Sequence, residues 1–529
     1  MNSRALAERL RTRRGVAAVL LVVALAAAAV YLPTLRYGLV WDDARLVTGN
    51  PAVTGQDPAA AFKHGYWPTG LEPLSRDQAA AYRPLATLSF WAQHRLFGPG
   101  PFAGHLINVL LHVAVSILVT LVIWELLHSG VWAVLGGLLF ATHPAHVESV
   151  AYVSARPDLL LGLFTALAAV GLLRGLRKHS HWWWLLVPAG FGLALLSKEG
   201  ALFFPLLCAL TPLLTRTRYT GRYWLLVAAV CIVLAGYLAL RLPVAPLGPA
   251  GGLPLYNRLV DAANTFGLYL QMFFWPVGHR VLFPPDPVYY GLTRAVITTV
   301  LFIVTLPLVA LRRRFWVTLW SYGWVVLLLL PALHWLPLSN QVSERVLYLP
   351  SAGLVLIIVT LLSRLLSSRA RLRAAAGLVL LVLALALGVE SVRRSGVWRD
   401  EASLAAAMTA EAPQSPIGYT LLAETQRSER PDSAVALYNR AIILDQDYLP
   451  AHLHVAALFR ELGDLRRATH HLRVANELRP DSPQILTELG LAFLAAGRTD
   501  SARSYARLAL ERDPGFAPAR ELLDRLPQD

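Results

Sequence analysis

Two adjacent carboxylates follow the first apolar stretch of the chain. Asp42 and Asp43, in the sequence Trp41-Asp42-Asp43, come shortly after an apolar run at 16–33. Neighbouring carboxylates close to a membrane repel each other and are costly to desolvate, so they need a cation, a proton or a catalytic task. One could act as a general base towards a hydroxyl while the other tunes it or holds a metal. For an isolated Asp-Asp pair, a solvated loop or helix cap would be the better explanation.

More polar residues occur in the loops and at the ends of later apolar runs. They are Arg83, His143, His146, Glu148, Arg156, Asp158, Lys198, Glu199, Glu344 and Arg345. Each has a structural alternative: the two histidines are three residues apart but lack a third metal ligand, and Glu344 with Arg345 could form a helix-capping pair. Together on one face of a membrane, however, these residues would form a polar cavity that contains several cations. Such a cavity suits a lipid phosphate, because guanidinium and ammonium groups pair with phosphate most strongly where water is scarce.

The composition indicates an integral membrane protein. The chain has 529 residues, of which 15% are charged, and its mean hydropathy is +0.49, which is too apolar for an ordinary soluble domain. The net charge of +15 comes mostly from arginines between apolar runs, so it indicates orientation in the membrane and not nucleic-acid binding. Cys208 and Cys231 lie inside apolar runs and provide neither a disulfide framework nor a metal site.

The positive-inside rule predicts eleven spans with the N-terminus in the cytoplasm. The first run mimics a signal peptide, but its length favours an uncleaved span. Residues 241–290 then contain no net crossing, and the polar residues within 259–275 suit a surface-lying or cavity-lining helix. If that segment did cross, the count of eleven would fail. The predicted spans lie near 16–33, 105–127, 131–148, 158–174, 182–197, 201–214, 223–240, 291–311, 315–332, 346–366 and 374–391.

The C-terminal region repeats with a period of 34 residues. Ala441, Ala475 and Ala509 follow this period, as do Gly463 and Gly497, which is typical of the tetratricopeptide repeat (TPR). Three repeats fit, at 414–447, 448–481 and 482–515, with an entering helix at 398–412 and a cap at 516–526. The prediction is an all-α chain with a membrane domain at 1–396, including a first outer loop at 34–104, and a TPR domain at 397–529. The repeats would offer a protein-binding surface; a spacer or dimerisation module is the alternative.

Several stretches together resemble one family, the transmembrane and TPR-containing O-mannosyltransferases and their prokaryotic relatives. They are the Asp-Asp pair, the Tyr-Arg-Pro-Leu stretch leading to GHLINVLLH, FATHPAHVESVAYVSARPDLL, LLSKEGALFFP, SERVLYLPSAG, and the entry to the repeats through VWRDEASL. The resemblance covers nearly the whole chain. Each motif alone is weak, whereas their order and spacing are more specific.

The resemblance implies a C-type (GT-C) glycosyltransferase that uses a polyprenyl-phosphate sugar. It makes Asp42 and Asp43 the acidic pair, with one of them the base, and helices near 57–67 and 83–97 the cover of the site. Candidates for donor phosphate binding are Arg83, Lys198, Arg345 and Arg156. Candidates for the cavity wall are His143, His146, Glu148, Asp158, Glu199 and Glu344. A divalent metal stays open because the fold includes metal-dependent and metal-free members. The donor sugar, mannose in the animal members, and the acceptor are not specified by any residue here.

The leading hypothesis is therefore an inverting glycosyltransferase of the inner cell membrane. It would move a sugar from a polyprenyl-phosphate donor to a hydroxyl acceptor, most simply a protein, at the periplasmic or outer face, where the TPR domain would also lie. A non-enzymatic scaffold whose TPR domain recruits envelope-assembly factors is one alternative, although one span would suffice to anchor it. A transporter of lipid-linked sugars is another, but it would favour charges at mid-membrane.

Overall fold

The computed structural model describes residues 12–67, 81–178, 181–215, 220–245, 255–283, 299–300, 302–304, 315–333 and 342–527. Within these ranges the regular structure is helical and no strand occurs, which confirms the predicted all-α class. The described residues before Asp400, apart from Trp67, form one compact unit, and those from Asp400 onward form a second. They are called the membrane unit and the repeat unit below.

The membrane unit contains five helices that are long and apolar enough to cross a bilayer, which makes this an integral membrane protein. They are α1 (Arg13–Tyr31), α5 (Pro101–Leu127), α8 (Arg156–Lys178), α11 (Gly221–Arg241) and α15 (Ala370–Ser395). Shorter apolar helices accompany them: α6 (Gly130–Ala141), α9 (His181–Ser197), α10 (Phe204–Thr215), α13 (Phe315–Leu329) and α14 (Ser351–Leu365). These ten helices coincide with ten of the predicted spans, but the number of crossings stays a prediction.

Two predicted membrane segments have a different outcome. The predicted span at 291–311 falls almost entirely outside the described residues. The polar segment at 259–275 lies in α12 (Leu255–Phe274), which is not among the helices apolar enough to cross.

The helix predicted at 131–148 is shorter in the structure, because α6 ends at Ala141 and the chain then turns through Pro144. That early end releases the residues after Ala141 to form a site-bearing loop.

The first loop carries short helices and one longer helix. α2 (Pro51–Thr54) and α3 (Ala60–Lys63) are single turns, so the helix predicted at 57–67 is much reduced. α4 (Pro84–Phe97) matches the helix predicted at 83–97, and Pro84 occupies its first turn, where a missing N–H costs nothing. Arg83 therefore lies at the N-terminal end of α4, where the chain changes direction.

Three segments between helices carry most of the polar candidates. The first follows α1 and includes a 3₁₀ turn at Leu32–Arg36 and a π-helical turn at Ala44–Thr48. The second, after α6, contains a 3₁₀ turn at Pro144–His146, the short helix α7 (Val147–Ala151) and a 3₁₀ turn at Val153–Ala155. The third is a 3₁₀ turn at Glu344–Leu347 before α14. Irregular backbone of this kind in a membrane protein is tolerated where it is buried in protein or lines a cavity.

The repeat unit is a series of helix pairs, which confirms the predicted TPR solenoid. After α16 (Glu401–Glu411) come α17 (Pro416–Gln426), α18 (Pro431–Leu444), α19 (Leu449–Glu461), α20 (Leu465–Leu478), α21 (Pro483–Ala495), α22 (Thr499–Arg512) and the cap α23 (Ala517–Arg525). Gly463 and Gly497 turn the chain between paired helices with φ of 80° and 71°, which favours glycine. The boundary of the domain at 396/397 stays a prediction.

Candidate active site

Asp43 fixes the segment that follows α1 to the segment that follows α6. Its Oδ1 accepts hydrogen bonds from Ser154 N at 2.7 Å and Ser154 Oγ at 2.5 Å. Its Oδ2 accepts one from Val40 N at 3.1 Å, and the residue is fully buried. Both carboxylate oxygens are therefore engaged with protein donors, so this carboxylate has a structural task.

Asp42 has a different environment although it is the next residue. Its Oδ2 accepts a hydrogen bond from the hydroxyl of Tyr152 at 2.9 Å, and the residue is only partly buried. Within the described parts of the chain, Oδ1 of Asp42 accepts no hydrogen bond. That oxygen is free to accept a proton from a bound hydroxyl, which the oxygens of Asp43 are not.

Burial raises the pKa of both carboxyl groups. For Asp42 the hydrogen bond from Tyr152 and the positive charges of Arg345 and Arg45 work in the opposite direction, without cancelling the rise. For Asp43 burial raises the pKa to about 7, against the lowering effect of its donors, and the charge of Asp42 adds to the rise. A carboxylate with a raised pKa is a stronger base than a solvated one, which suits general-base chemistry near neutral pH.

The backbone beside Asp42 is strained. Trp41 has a φ of 54°, a left-handed conformation that is costly for a bulky side chain. Its indole ring stacks on Tyr152, with 6.0 Å between ring centroids and 21° between planes. Strain of this kind concentrates at functional sites, where the surrounding structure holds it in place.

Arg345 connects Asp42 to the other charged groups. Glu148 Oε2 accepts a hydrogen bond from the backbone N of Arg345 at 3.1 Å, and Glu148 Oε1 lies 3.5 Å from Arg345 Nε. The guanidinium also lies over the ring of Tyr152, 6.0 Å from its centroid. Burial opposes a charge on Arg345, but Glu148, Asp158, Tyr152 and Asp42 outweigh it and raise its pKa. Arg345 is therefore a permanent cation beside the acid.

A cavity opens next to Arg345. It has a volume of about 750 Å³, including space continuous with solvent, and its charged lining residues are Arg83, Asp158, Lys198, Glu199 and Arg345. Lys198 Nζ donates to Asp158 Oδ1 at 2.5 Å. Arg83 donates to Glu199 through Nη2 at 2.8 Å and Nε at 3.4 Å. Five of the predicted residues thus line one cavity, and each of its cations already has a carboxylate partner.

Arg83 is held from a second side. Its guanidinium lies 5.2 Å from the centroid of the Tyr66 ring, and the Tyr66 hydroxyl donates to Ser154 O at 3.2 Å. The side chains of Arg83 and Glu199 are each 15% exposed. Tyr66 therefore joins the first loop to the segment that follows α6, and its ring also supports the guanidinium of Arg83.

Arg156, predicted to contact the donor phosphate, does not line this cavity. Its guanidinium donates to Asn108 Oδ1 at 3.0 Å, Gln93 Oε1 at 2.5 Å and Gly104 O at 3.3 Å, and it lies 4.2 Å from the centroid of the Phe90 ring. The side chain is fully buried. These contacts join α4, α5 and α8, so Arg156 holds helices together in this structure, and its contact with the donor phosphate stays a prediction.

Four residues predicted in the cavity wall, Glu148, His143, His146 and Glu344, do not line this cavity. Glu148 is paired with Arg345, which does line it. His143 contacts Phe273 O through Nε2 at 3.1 Å, and His146 contacts Ser351 Oγ through Nε2 at 2.8 Å. Glu344 accepts from Arg394 Nη2 at 2.9 Å. These contacts hold His143, His146 and Glu344 inside the helix bundle, although Nδ1 of His146 and Oε2 of Glu344 have no hydrogen-bond partner among the described residues.

No metal cluster occurs among the described residues: nowhere do three or more His, Cys, Asp or Glu side chains group so that they could hold an ion. The two histidines of the Thr-His-Pro-Ala-His stretch are used in separate hydrogen bonds.

Sequence reasoning missed Tyr152 and Trp398. Tyr152 lies inside the FATHPAHVESVAYVSARPDLL stretch but was not singled out, because a tyrosine next to a span is common at membrane interfaces. Trp398 was assigned to the helix that enters the repeats, yet its ring stacks on Tyr152, with centroids 4.9 Å apart and planes at 24°. No periodicity or motif connects these two positions.

Comparison with known proteins identifies relatives of the membrane unit. Residues 80–241 match the family described as "Dolichyl-phosphate-mannose-protein mannosyltransferase". "Protein O-mannosyl-transferase TMTC2" of Mus musculus is 36% identical over 177 residues, which are 32% of this chain and 21% of the relative. "Protein O-mannosyl-transferase F38B6.6" of Caenorhabditis elegans is 26% identical over 449 residues, which are 79% of this chain and 61% of the relative. The chain spans about a fifth of the first relatives it matches.

Two solved structures show more distant similarity. ArnT from Cupriavidus metallidurans bound to undecaprenyl phosphate aligns over 94% of this chain and 80% of its own, with 16% identity and a TM-score of 0.40. A thermophilic TPR protein of Thermus thermophilus, TTC0263, aligns over 31% of this chain and 97% of its own, with 23% identity and a TM-score of 0.21. The family match at residues 80–241 includes Arg83, Asp158, Lys198 and Glu199, which line the cavity. The chain is thus similar to proteins named protein O-mannosyl-transferases, as its motifs predict.

Proposed function

We propose that this protein is an inverting membrane glycosyltransferase. It transfers a sugar from a polyprenyl-phosphate donor to a hydroxyl group of an acceptor, with Asp42 as the general base. The observation that carries the proposal is the position of Asp42, which keeps one oxygen without a partner among the described residues and interacts electrostatically with Arg345. Asp42 does not itself line the cavity, but Arg345 does, together with two further cations. The similarity to proteins named protein O-mannosyl-transferases supports it.

The cavity cations suit the phosphate of the donor. Arg83, Lys198 and Arg345 come from three separate parts of the chain and line one space. A phosphodiester placed among them would gain charge-assisted hydrogen bonds in a site with little water. Because Glu199, Asp158 and Glu148 already neutralise these cations, the phosphate would have to share or displace the carboxylates.

The reaction then needs no covalent intermediate. The acceptor hydroxyl gives its proton to Oδ1 of Asp42 while its oxygen attacks C1 of the sugar. The bond between C1 and the phosphate oxygen breaks, and polyprenyl phosphate leaves with the electron pair. The cavity cations stabilise the negative charge that grows on this leaving group. The sugar configuration at C1 inverts because attack and departure occur on opposite faces.

We further propose mannose as the first donor sugar to test and a protein as the acceptor, since the relatives are named protein O-mannosyl-transferases. The repeat unit would bind the acceptor or a partner protein, as solenoid surfaces commonly do. The site would open towards the periplasmic face of the inner membrane, with the N-terminus in the cytoplasm, as the arginine distribution predicts. Single cysteines introduced at positions 45, 178 and 460 test this orientation: positions 45 and 460 should react with an impermeant reagent from one side and position 178 from the other.

The test of the activity uses the purified full-length protein with a small panel of polyprenyl-phosphate sugars and an acceptor peptide library. We expect sugar transfer with one donor, and we expect Asp42→Asn to reduce it about 10²- to 10⁴-fold without lowering the yield of folded protein. Asp57→Asn is the matched control, because Asp57 is an exposed carboxylate of the same loop. Unchanged transfer in Asp42→Asn would remove the catalytic assignment.

A further inference from the structure

We propose that Tyr152 is a positioning residue for Asp42 and that Trp398, in the last turn of the membrane unit, holds Tyr152 in place. The catalytic consequence rests on the proposed function, because it concerns the base of the same reaction. The geometric part, that Tyr152 and Trp398 set the orientation and protonation of Asp42, can be tested without any transfer assay.

Two indole rings stack on the ring of Tyr152. Trp41 stacks on it at 6.0 Å and Trp398 at 4.9 Å between centroids, with interplanar angles of 21° and 24°. Its hydroxyl donates to Oδ2 of Asp42 at 2.9 Å. A phenol stacked on two large aromatic rings cannot swing away without breaking both stacks. The hydroxyl is therefore kept at one oxygen of Asp42, and the other oxygen stays available to the acceptor.

The backbone of Tyr152 is fixed as well. Its N–H donates to Glu148 O at 3.2 Å, and its carbonyl accepts from Asn108 Nδ2 at 3.1 Å. Asn108 in turn accepts from the buried guanidinium of Arg156 at 3.0 Å. Because both backbone groups of Tyr152 are paired, the phenol position depends on the ring stack and not on a flexible main chain.

The end of α15 is tied to the site-bearing loops. Arg394 donates to Glu344 at 2.9 Å, Ser395 Oγ lies 3.1 Å from the hydroxyl of Tyr37, and Gly38 N donates to Arg399 O at 2.9 Å. These contacts fix the turn at Gly396–Trp398 and with it the indole of Trp398, which is 1% exposed.

Trp398 acts through its ring faces. Among the described residues, its indole Nε1–H has no hydrogen-bond partner although it is buried. An unpaired buried donor is costly, so the indole is retained for its shape and stacking. Replacement by phenylalanine should therefore keep much of the effect, and replacement by leucine should remove it.

The hydroxyl of Tyr152 has a defined electrostatic effect on Asp42. Burial raises the pKa of Asp42, and the hydrogen bond from Tyr152 lowers it, together with the charges of Arg345 and Arg45. Asp43 and Tyr66 also interact electrostatically with Asp42. Without the hydroxyl the charged form loses a donor, so the pKa of Asp42 rises further. The base would then be protonated over a wider range of pH.

The experiment measures the titration of Asp42 directly in the full-length protein. Infrared difference spectra taken across pH contain the carbonyl band of protonated Asp42, identified by its loss in Asp42→Asn. We expect Tyr152→Phe, which keeps the ring stack, to move this titration up by about one to two pH units. Trp398→Leu should move it in the same direction, and Trp398→Phe by less. Trp182→Leu is the matched control, since Trp182 is 78% exposed.

An active preparation adds a second readout. The acidic limb of kcat/KM should move with the infrared titration, while the rate at high pH in Tyr152→Phe returns to within about threefold of the parent, because the base is then ionised. A titration of Asp42 unchanged in Tyr152→Phe overturns the positioning role. A titration moved by Tyr152→Phe but not by Trp398→Leu overturns the role of Trp398. If the titration moves but no donor supports transfer, the positioning stands and the proposed function fails.

Discussion

The paired charges of the cavity lead to a prediction with an unusual sign: removing a carboxylate should strengthen the binding of an anionic lipid. Glu199 binds Arg83 through two hydrogen bonds, with Nη2 to Oε1 at 2.8 Å and Nε to Oε2 at 3.4 Å. A polyprenyl phosphate in the cavity would compete with this carboxylate for the same guanidinium. Glu199→Gln keeps the shape and one acceptor but removes the negative charge.

The magnitude follows from Coulomb's law. A phosphate about 6 Å from the carboxylate would be repelled by about 3 kcal/mol at an effective dielectric constant of about 20. Since both side chains are 15% exposed, water and salt reduce this value, and about 1.5–3 kcal/mol is a reasonable range. That range corresponds to roughly tenfold to hundredfold tighter binding. Arg83→Met should have the opposite effect and weaken binding.

The assay is the affinity of the purified protein for polyprenyl phosphate in detergent, measured by native mass spectrometry or by inhibition of transfer. Glu390→Gln is the matched control, because Glu390 forms an ion pair with the exposed Arg393 outside the cavity. Weaker lipid binding in Glu199→Gln would refute the reasoning, since it would mean that the carboxylate serves to hold Arg83 for the ligand and does not compete with it.

Three further predictions follow from the described contacts. Because burial raises the pKa of Asp42, its ionised form appears above the usual range near pH 4, so kcat/KM should rise with pH through a limb that Asp42→Asn abolishes. Arg156→Met leaves the acceptors of Asn108 and Gln93 without their donor and should lower the free energy of unfolding by about 2–4 kcal/mol, which thermal denaturation in detergent would show as a lower midpoint; an unchanged midpoint would contradict its role as a helix connector. Gly463→Ala, at a φ of 80° with open space around the Cβ position, should cost about 1 kcal/mol through backbone strain alone, measurable as earlier unfolding of the repeats without loss of donor binding.

The sequence predicts the helices well because their signal is local. The apolar runs and the positions of α1, α5, α8, α11 and α15 agree within a few residues, since about 20 apolar residues have few alternatives to a spanning helix. The repeats are equally accessible, because the 34-residue period encodes contacts between neighbouring helices. Where a proline interrupts a run, as Pro144 does after α6, the hydropathy pattern alone overestimates the helix.

The candidate site is predicted only in part, because side-chain direction depends on tertiary contacts. Asp42 and Asp43 are indistinguishable by type, yet Asp43 is occupied by Val40 and Ser154 while Asp42 keeps a free oxygen. Arg156 satisfies its donors with neutral oxygens from other helices, which no local pattern reveals. Long-range partners of this kind determine whether a buried charge serves the fold or the reaction.

Glu344 and Arg345 show how one short turn can direct one charged side chain to stabilise the fold and the next to line the cavity. They are consecutive residues in the 3₁₀ turn at Glu344–Leu347, so their side chains leave the backbone about 120° apart. Glu344 points to Arg394 at 2.9 Å, and Arg345 points to Glu148 at 3.5 Å and lines the cavity. The buried pair therefore fixes the turn, and the fixed turn aims Arg345. Breaking the Arg394 contact should therefore displace the guanidinium of Arg345, even though Arg394 itself does not line the cavity.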